Sequence, residues 1–324
     1  MKAWVAERLG HYGEVLSLIE REAPKPSGSE ALIRVKAIGL NFPDILAIAG
    51  KYQVKAAPPF VPGQEAMGEV IEAGPESAFR PGDRIMTMNP GGAFAEQMIA
   101  PAISSFRVPD GMTDADAAAF QMIYQTSYFA LAIRARMQPG EVLLVHGGAG
   151  GVGTSAIQLG KVMGATVIAT AGSDAKLEVC RKCGADHAIN YTTDDFVERV
   201  KEITKGRGAD VIYDPVGGDV FDKSTKCIAW NGRLVVIGFT SGRIPEIAAN
   251  RILLKNMAVM GLFWGAYRMH EPHLIQEAQQ TLYRYYAEGK IKPMIYREYP
   301  LAELPAALRA IEERSSYGKI VVVP

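Results

Sequence analysis

Residues 141–171 read EVLLVHGGAGGVGTSAIQLGKVMGATVIATA, and their pattern decides the fold of the middle of the chain. Val142–Val145 is an unbroken apolar run of strand length. A glycine-rich turn follows at once, then helix-forming residues from Val152 to Ala165, then a second apolar strand, Thr166–Ala171. Strand, helix and strand in that order make a parallel βαβ unit. The alternation continues through 174–185, 186–191, 194–206, 209–216, 221–230 and 232–239, so a doubly wound parallel sheet is expected here.

The flanks read differently. From Met1 to about Pro109 the chain is broken into short runs between Gly and Pro, such as ALIRVKAIGLN, GEVIEAG, GDRIMTM and FAEQMIAP. Such alternation predicts an irregular β-rich domain, interrupted by one helical turn at Pro43–Ala49. An Ala-rich stretch from Asp110 to Ala135 predicts a hinge helix of several turns into the second domain. Beyond AVMGLFW (258–264), a long helix is expected over Glu271–Gly289, then a short one in LAELPAALRAIEER. The final strand, KIVVVP, lacks a βαβ partner and is expected to return to the first domain. The resulting division is 1–124 for the first domain, 125–264 for the second and 265–324 for the return.

Composition narrows the class. Of 324 residues, 48% are hydrophobic and 22% charged, which fits a globular enzyme and not a disordered chain. Lys plus Arg and Asp plus Glu are 35 each, so no net charge draws the protein to nucleic acid or anionic lipid. Three cysteines, Cys180, Cys183 and Cys227, are too few for a disulfide scaffold. The N-terminus lacks a signal-peptide or transit-peptide pattern, and no stretch approaches the ~20 apolar residues of a membrane span. A cytoplasmic protein is expected, with no nucleic-acid or membrane partner.

Gly148, Gly150 and Gly153 stand at G-x-G-x-x-G spacing, directly after a strand and directly before a helix. Tight turning, close approach of backbone to a pyrophosphate and close helix packing each need a missing side chain, and the helix N-terminus supplies free N–H groups. With Ala149, Gly151 and Val152 these glycines form the candidate phosphate turn. No Gly-Lys-Ser/Thr follows, which excludes a nucleoside triphosphate loop. At the end of the second strand, where NAD enzymes place an acid on the ribose 2′-hydroxyl, the chain reads Ala171, Gly172, Ser173. Ser173 and Lys176 suit a 2′-phosphate, so NADPH is the expected cofactor. Asp174 is read as the N-cap of the next helix; a register error would make it the ribose acid instead.

These segments, with GLNFPDILAIAGKY, PFVPGQEAMGEV, PGDRIM, ADVIYDPVGG and NGRLVVIGF, give the whole chain a resemblance to the medium-chain dehydrogenase/reductase superfamily, in its zinc-free quinone oxidoreductase branch. The resemblance implies an α/β protein, with a GroES-like β-rich catalytic domain from both chain ends, a Rossmann domain between them and an active site in the cleft. It further implies hydride transfer from NADPH to a quinone, or alternatively to an α,β-unsaturated carbonyl or enoyl thioester. Some relatives bind the cofactor without turnover, which leaves a non-catalytic NADPH-binding protein as a third reading. Zinc relatives place Cys and His ligands where this chain has Asn41 and Gln64, so no metal is expected. Cys180-x-x-Cys183 has no second pair, and His270 and His273 have no evident third ligand.

Site residues carry over from the same resemblance. Tyr52 matches a tyrosine beside the nicotinamide, whose phenol can stabilise a developing oxyanion. Asn41, assigned with Tyr52 to catalysis, is expected to face the nicotinamide ribose or substrate; Asp44 is expected to hold the loop or cap the short helix, and Asp44 and Gln64 are assigned to the acceptor pocket. Thr126 matches a ligand of the nicotinamide carboxamide and Tyr191 a contact of the 2′-phosphate. Gly238, Phe239 and Thr240, with Phe263 and Trp264, match two loops that hold the nicotinamide half; Phe263 and Trp264 read alternatively as core aromatics. A homodimer is expected, with AVMGLFW as an apolar edge strand that a second copy covers.

Overall fold

The computed structural model describes all 324 residues, Met1–Pro324. The chain forms two compact units, Met1–Met122 together with Ile295–Pro324, and Ile123–Met294. Strands are numbered along the chain.

The first unit is β-rich. Strands β1 (Lys2–Ala6) and β2 (Leu16–Glu20) make an antiparallel ribbon. The main sheet uses β3 (Ala31–Gly39), β4 (Glu65–Ala73), β5 (Arg84–Met88), β6 (Gln97–Ala100), β7 (Ser105–Arg107), β14 (Ile295–Pro300) and β15 (Lys319–Val323). Its order is β14-β15-β3-β4-β5-β7, with β6 also pairing β3. In β3 only Arg34 and Lys36 face solvent, because the rest of the strand is apolar and covered. Ile33, Ile38, Ile48, Val70, Ile85, Phe94, Leu304, Leu308 and Val322 share the core. The last strand returns as expected: β15 lies antiparallel to β3, with Val321 opposite Gly39.

The second unit is a six-stranded parallel sheet of β8 (Val142–Val145), β9 (Thr166–Ala171), β10 (His187–Asn190), β11 (Ala209–Asp214), β12 (Ile228–Val236) and β13 (Ala258–Gly261). The order is β10-β9-β8-β11-β12-β13. Chain direction across the sheet therefore reverses between β8 and β11, and ligands of such sheets bind beyond the carboxyl ends of the strands at that reversal. Leu144, Ile168, Ile212 and Leu234 meet Phe196, Val200 and Phe221 from the covering helices. The segment 258–261 is indeed the sheet edge. No helix is long and apolar enough to cross a membrane.

Two expectations change. The Ala-rich hinge is not one helix: Asp114–Ala118, capped by Thr113, is followed by Gln121–Tyr128 and then by a wider π-helical turn, Phe129–Arg134. The chain also rejoins the first unit at 295 and not at 265. Residues 265–294 stay with the second unit because its polar groups answer theirs. Gln125 Nε2 donates to Gln279 Oε1 at 2.6 Å, and Gln158 exchanges two hydrogen bonds with the Lys292 main chain, each 2.9 Å. Ile275, Ala278 and Leu282 of the helix Pro272–Ala287 are buried there.

Candidate functional site

The phosphate turn grows out of the end of β8. His146 follows Val145, its ring buried between Thr170 Oγ1 (3.1 Å) and Ser224 Oγ (2.8 Å). Burial pushes its pKa down to about 3, so it is a neutral polar peg between β9 and the helix Gly218–Cys227. Gly147, not Gly148, makes the left-handed turn, at φ 59°. Gly148 and Gly153 serve close packing. A Cβ on Gly148 would stand 2.9 Å from both Ala169 Cβ and Cys180 Sγ, and one on Gly153 would stand 2.2 Å from Gly147 O. Gly150 then precedes the helix Gly151–Val162 without a capping side chain. The first-turn N–H groups of Gly151, Val152 and Gly153 therefore point out of the helix end with no intrahelical acceptor. A bare helix N-terminus at the reversal point fits the diphosphate of a dinucleotide.

The end of β9 brings three expected residues together. Asn190 of β10 pairs Ala171, and Tyr191 N donates to Ala171 O at 3.2 Å, which carries the Tyr191 ring across Gly172. A Cβ on Gly172 would meet Tyr191 Oη at 2.6 Å and Cζ at 2.9 Å, so the glycine makes room for the phenol. Ser173, not Asp174, is the cap of the helix Asp174–Lys182, its Oγ accepting from Lys176 N. Asp174 is the first helical residue, and its Oδ1 accepts from Asn190 Nδ2 at 3.3 Å.

The nicotinamide loops separate. Gly238, Phe239 and Thr240 lie on the loop that leaves β12, half-buried. Phe263 is 50% exposed, whereas Trp264 is turned inward, its Nε1 donating to Gln125 Oε1 at 3.1 Å. Its indole is therefore core, as the alternative reading of Trp264 had it. Thr126 sits buried on the helix Gln121–Tyr128, in the same turn as Gln125.

In the first unit the expected residues are drawn into a buried charged cluster. Lys319 Nζ donates to Asn41 Oδ1 (2.6 Å), Glu65 Oε2 (2.9 Å) and Leu40 O (2.9 Å), and Lys319 and Glu65 are 2% and 1% exposed. Asn41 Nδ2 donates to Gly39 O and Glu65 Oε2, both at 3.0 Å, while Glu65 Oε1 accepts from Met122 N. Both ends of its amide are thus engaged within the cluster, which ties the loop at Asn41 to Glu65 and Lys319. Asp44 Oδ2 accepts from Asn41 N at 2.8 Å, capping the helix Phe42–Ile48. Asp44 is fully buried, so it is no wall of a pocket; its Oδ1 has no partner, and burial raises its pKa to about 7. Gln64 is largely buried beside Glu65, and Tyr52 stays partly exposed in the bend after the helix. Sequence reasoning missed Glu65 and Lys319. A charge at the first position of each of two strands, β4 and β15, was the only signal.

Comparison with known proteins follows the same two units. Residues 27–110 match the model of the alcohol dehydrogenase GroES-like domain and residues 151–280 that of zinc-binding dehydrogenases. A quinone oxidoreductase-like protein 2 homolog of Nematostella vectensis is 38% identical, over 99% of this chain and 89% of its own length. The chain belongs to the zinc-free quinone oxidoreductase branch of the medium-chain dehydrogenase/reductase superfamily. Quinone oxidoreductase of Escherichia coli, solved with NADPH, aligns over 100% of both chains at 30% identity with a TM-score of 0.92. A mycobacterial relative, also complexed with NADPH, does so at 31% identity and 0.94. Within this oxidoreductase family the chain's phosphate turn precedes and enters the second matched region, and Asn41, Gln64 and Glu65 lie inside the first. Lys319 lies outside both.

Proposed function

We propose that the chain is an NADPH-dependent quinone oxidoreductase that works without a metal. The observation that carries the NADPH reading is the end of β9, where Gly172, Ser173 and the Tyr191 phenol converge and the nearest acid, Asp174, is engaged by Asn190. Hydroxyl donors of Ser173 and Tyr191, with the Lys176 ammonium, suit a 2′-phosphate. Main-chain N–H groups of Gly151, Val152 and Gly153 hold the diphosphate, and the Gly238–Thr240 loop, the Phe263 and Trp264 main chain and the Thr126 hydroxyl hold the nicotinamide half. When bound, NADPH supplies the hydride. Tyr52 Oη donates a hydrogen bond to the acceptor oxygen as negative charge develops on it.

Independence from metal rests on the donor set. Asn41 Oδ1 and Glu65 Oε2 already receive the Lys319 ammonium, which repels a divalent ion and occupies the lone pairs such an ion would use. Without a Lewis acid the acceptor must itself be electrophilic, as a quinone or an enone is. The protein is further proposed as a homodimer in a reducing compartment. Strand β13 has no charge or proline to protect its open edge, the helix Ala249–Lys255 buries none of its residues, and Cys180, Cys183 and Cys227 are unpaired thiols. Light scattering should give twice the 35.1 kDa chain mass.

The deciding experiment is steady-state oxidation of NADPH and NADH with a panel of quinones and 2-enals. Quinone turnover with kcat/KM about tenfold or more higher for NADPH is expected. Turnover on 2-enals alone replaces the quinone with an unsaturated carbonyl, and cofactor binding with no turnover on either class leaves a non-catalytic binder. Full activity that disappears in chelator and returns with zinc overturns the metal-free reading.

A further inference from the structure

Asp214 is the last residue of β11, opposite Val236 of β12, at the reversal point of the parallel sheet. Its side chain is fully buried. Oδ1 accepts from Val216 N (2.8 Å) and Gly217 N (3.0 Å), and Oδ2 has no hydrogen-bond partner. A buried carboxylate oxygen without a partner is costly, so the two bonds at Oδ1 must stabilise something beyond a turn that many short sequences form.

What they hold is a second loop. The turn 214–218 passes through two consecutive left-handed residues, Gly217 at φ 69° and Gly218 at φ 54°. Its groups then pair with residues 237–243: Ile237 N donates to Asp214 O (2.9 Å), Thr240 N to Pro215 O (3.1 Å), Ser241 N to Val216 O (3.0 Å) and Gly218 N to Arg243 O (3.1 Å). Packing is equally close, since a Cβ on Gly217 would lie 2.9 Å from Phe239 Cδ1 and one on Gly218 2.7 Å from Ser241 Oγ. On the other side Pro215 and Val216 lie against the phosphate turn, with the Cβ position of Gly147 3.6 Å and 3.8 Å from their side chains.

We infer that Asp214 is a positioning residue for the nicotinamide half of the cofactor, acting through the 214–218 turn on the 238–241 loop. This role rests on the proposed NADPH site. The carboxylate fixes the N–H groups of Val216 and Gly217 and so the path of the turn, the Pro215 and Val216 carbonyls set Thr240 and Ser241, and the 238–241 loop is thereby aimed. Nothing in this chain of bonds touches Gly172, Ser173 or Tyr191, so the adenylate half should be indifferent to it.

Binding of two probes separates the halves: NADPH, and adenosine 2′,5′-bisphosphate, which lacks the nicotinamide. Asp214→Ala should weaken NADPH about tenfold or more, raise its KM, and leave the bisphosphate within about twofold. Asp214→Asn keeps an acceptor at Oδ1 and should restore NADPH binding to within about threefold of wild type. Gly217→Ala leaves the carboxylate in place and pushes on Phe239, and should reproduce the selective loss even if Asp214→Ala fails to fold. Equal loss of both probes in the folded variants, no loss in either, or an Asp214→Asn variant as impaired as Asp214→Ala overturns the role. Wild-type protein that binds neither probe overturns the NADPH reading itself, and this role with it.

Discussion

The two units solve opposite problems with opposite materials. At the turn before the helix Gly151–Val162 the proposed anion site consists of backbone N–H groups and of side chains that are missing, at Gly148, Gly150 and Gly153. In the first unit Asn41, at one of the positions where zinc relatives keep a metal ligand, joins Glu65 and Lys319 in a cluster of charged and amide side chains that satisfy one another out of contact with water. A site that must accept a ligand leaves donors open, and a cluster that must hold a loop closes every donor it has. That difference predicts which substitutions should act on stability and which on binding.

The largest effect is expected at Lys319. Lys319→Met leaves the Glu65 carboxylate buried without its counter-charge, and breaking a pair of this kind costs about 3–5 kcal/mol. Denaturant unfolding should show that loss, with NADPH affinity of the folded fraction unchanged. A cost under about 1 kcal/mol would mean that the cluster is not the closed structure described. Next is Gly153→Ala, whose Cβ would stand 2.2 Å from Gly147 O. NADPH affinity should fall roughly 100-fold, about 2.7 kcal/mol, as the helix end is pushed from the turn. Titration of the folded variant tests this, and unaltered affinity would place the diphosphate elsewhere.

Asp44 sharpens the comparison through pH. Burial raises its carboxyl to about 7, against the opposing pull of the Asn41 N–H and the Lys319 charge. The folded state thus holds this proton better than the unfolded chain does, so the stability linked to it is complete at low pH and is lost as pH rises from about 4 through 7. Between pH 5 and pH 8 wild type should lose about 3 kcal/mol more than Asp44→Asn, which cannot titrate there. Parallel pH profiles for the two proteins would show that Asp44 is ionised throughout. The smallest effect is expected for Gly172→Ala, which moves the Tyr191 ring away from the end of β9. Preference for NADPH over NADH should shrink about tenfold, or about 1.4 kcal/mol, with NADH affinity little changed.

Legibility in the sequence follows the range of the interactions. The parallel sheet, its phosphate turn and its β13 edge are encoded in apolar runs and glycine spacings a few residues long. Local pattern is silent on partners. The helix Pro272–Ala287 is readable as a helix, yet that it stays with the second unit depends on Gln279 finding Gln125. Ser173 and Asp174 compete for one cap, and only geometry shows that the serine takes it. Asn41 sits at a family position, but its partners Lys319 and Glu65, remote in sequence, are not legible from its neighbours in the chain. A charged residue at the head of an apolar strand carries no hint of which opposite charge will meet it.

The discontinuity of the first unit dictates an order of assembly on the ribosome. Glu65 and Lys319 are 254 residues apart, and all of 123–294 is synthesised between them. The nucleotide half, continuous in sequence, has every strand it needs while the other half still waits for β15 to cover the edge of β3 and for one ammonium to discharge a carboxylate. Until then Glu65 is without its counter-charge and the β3 edge without its neighbour, so the first unit is complete only once the last strand has been made.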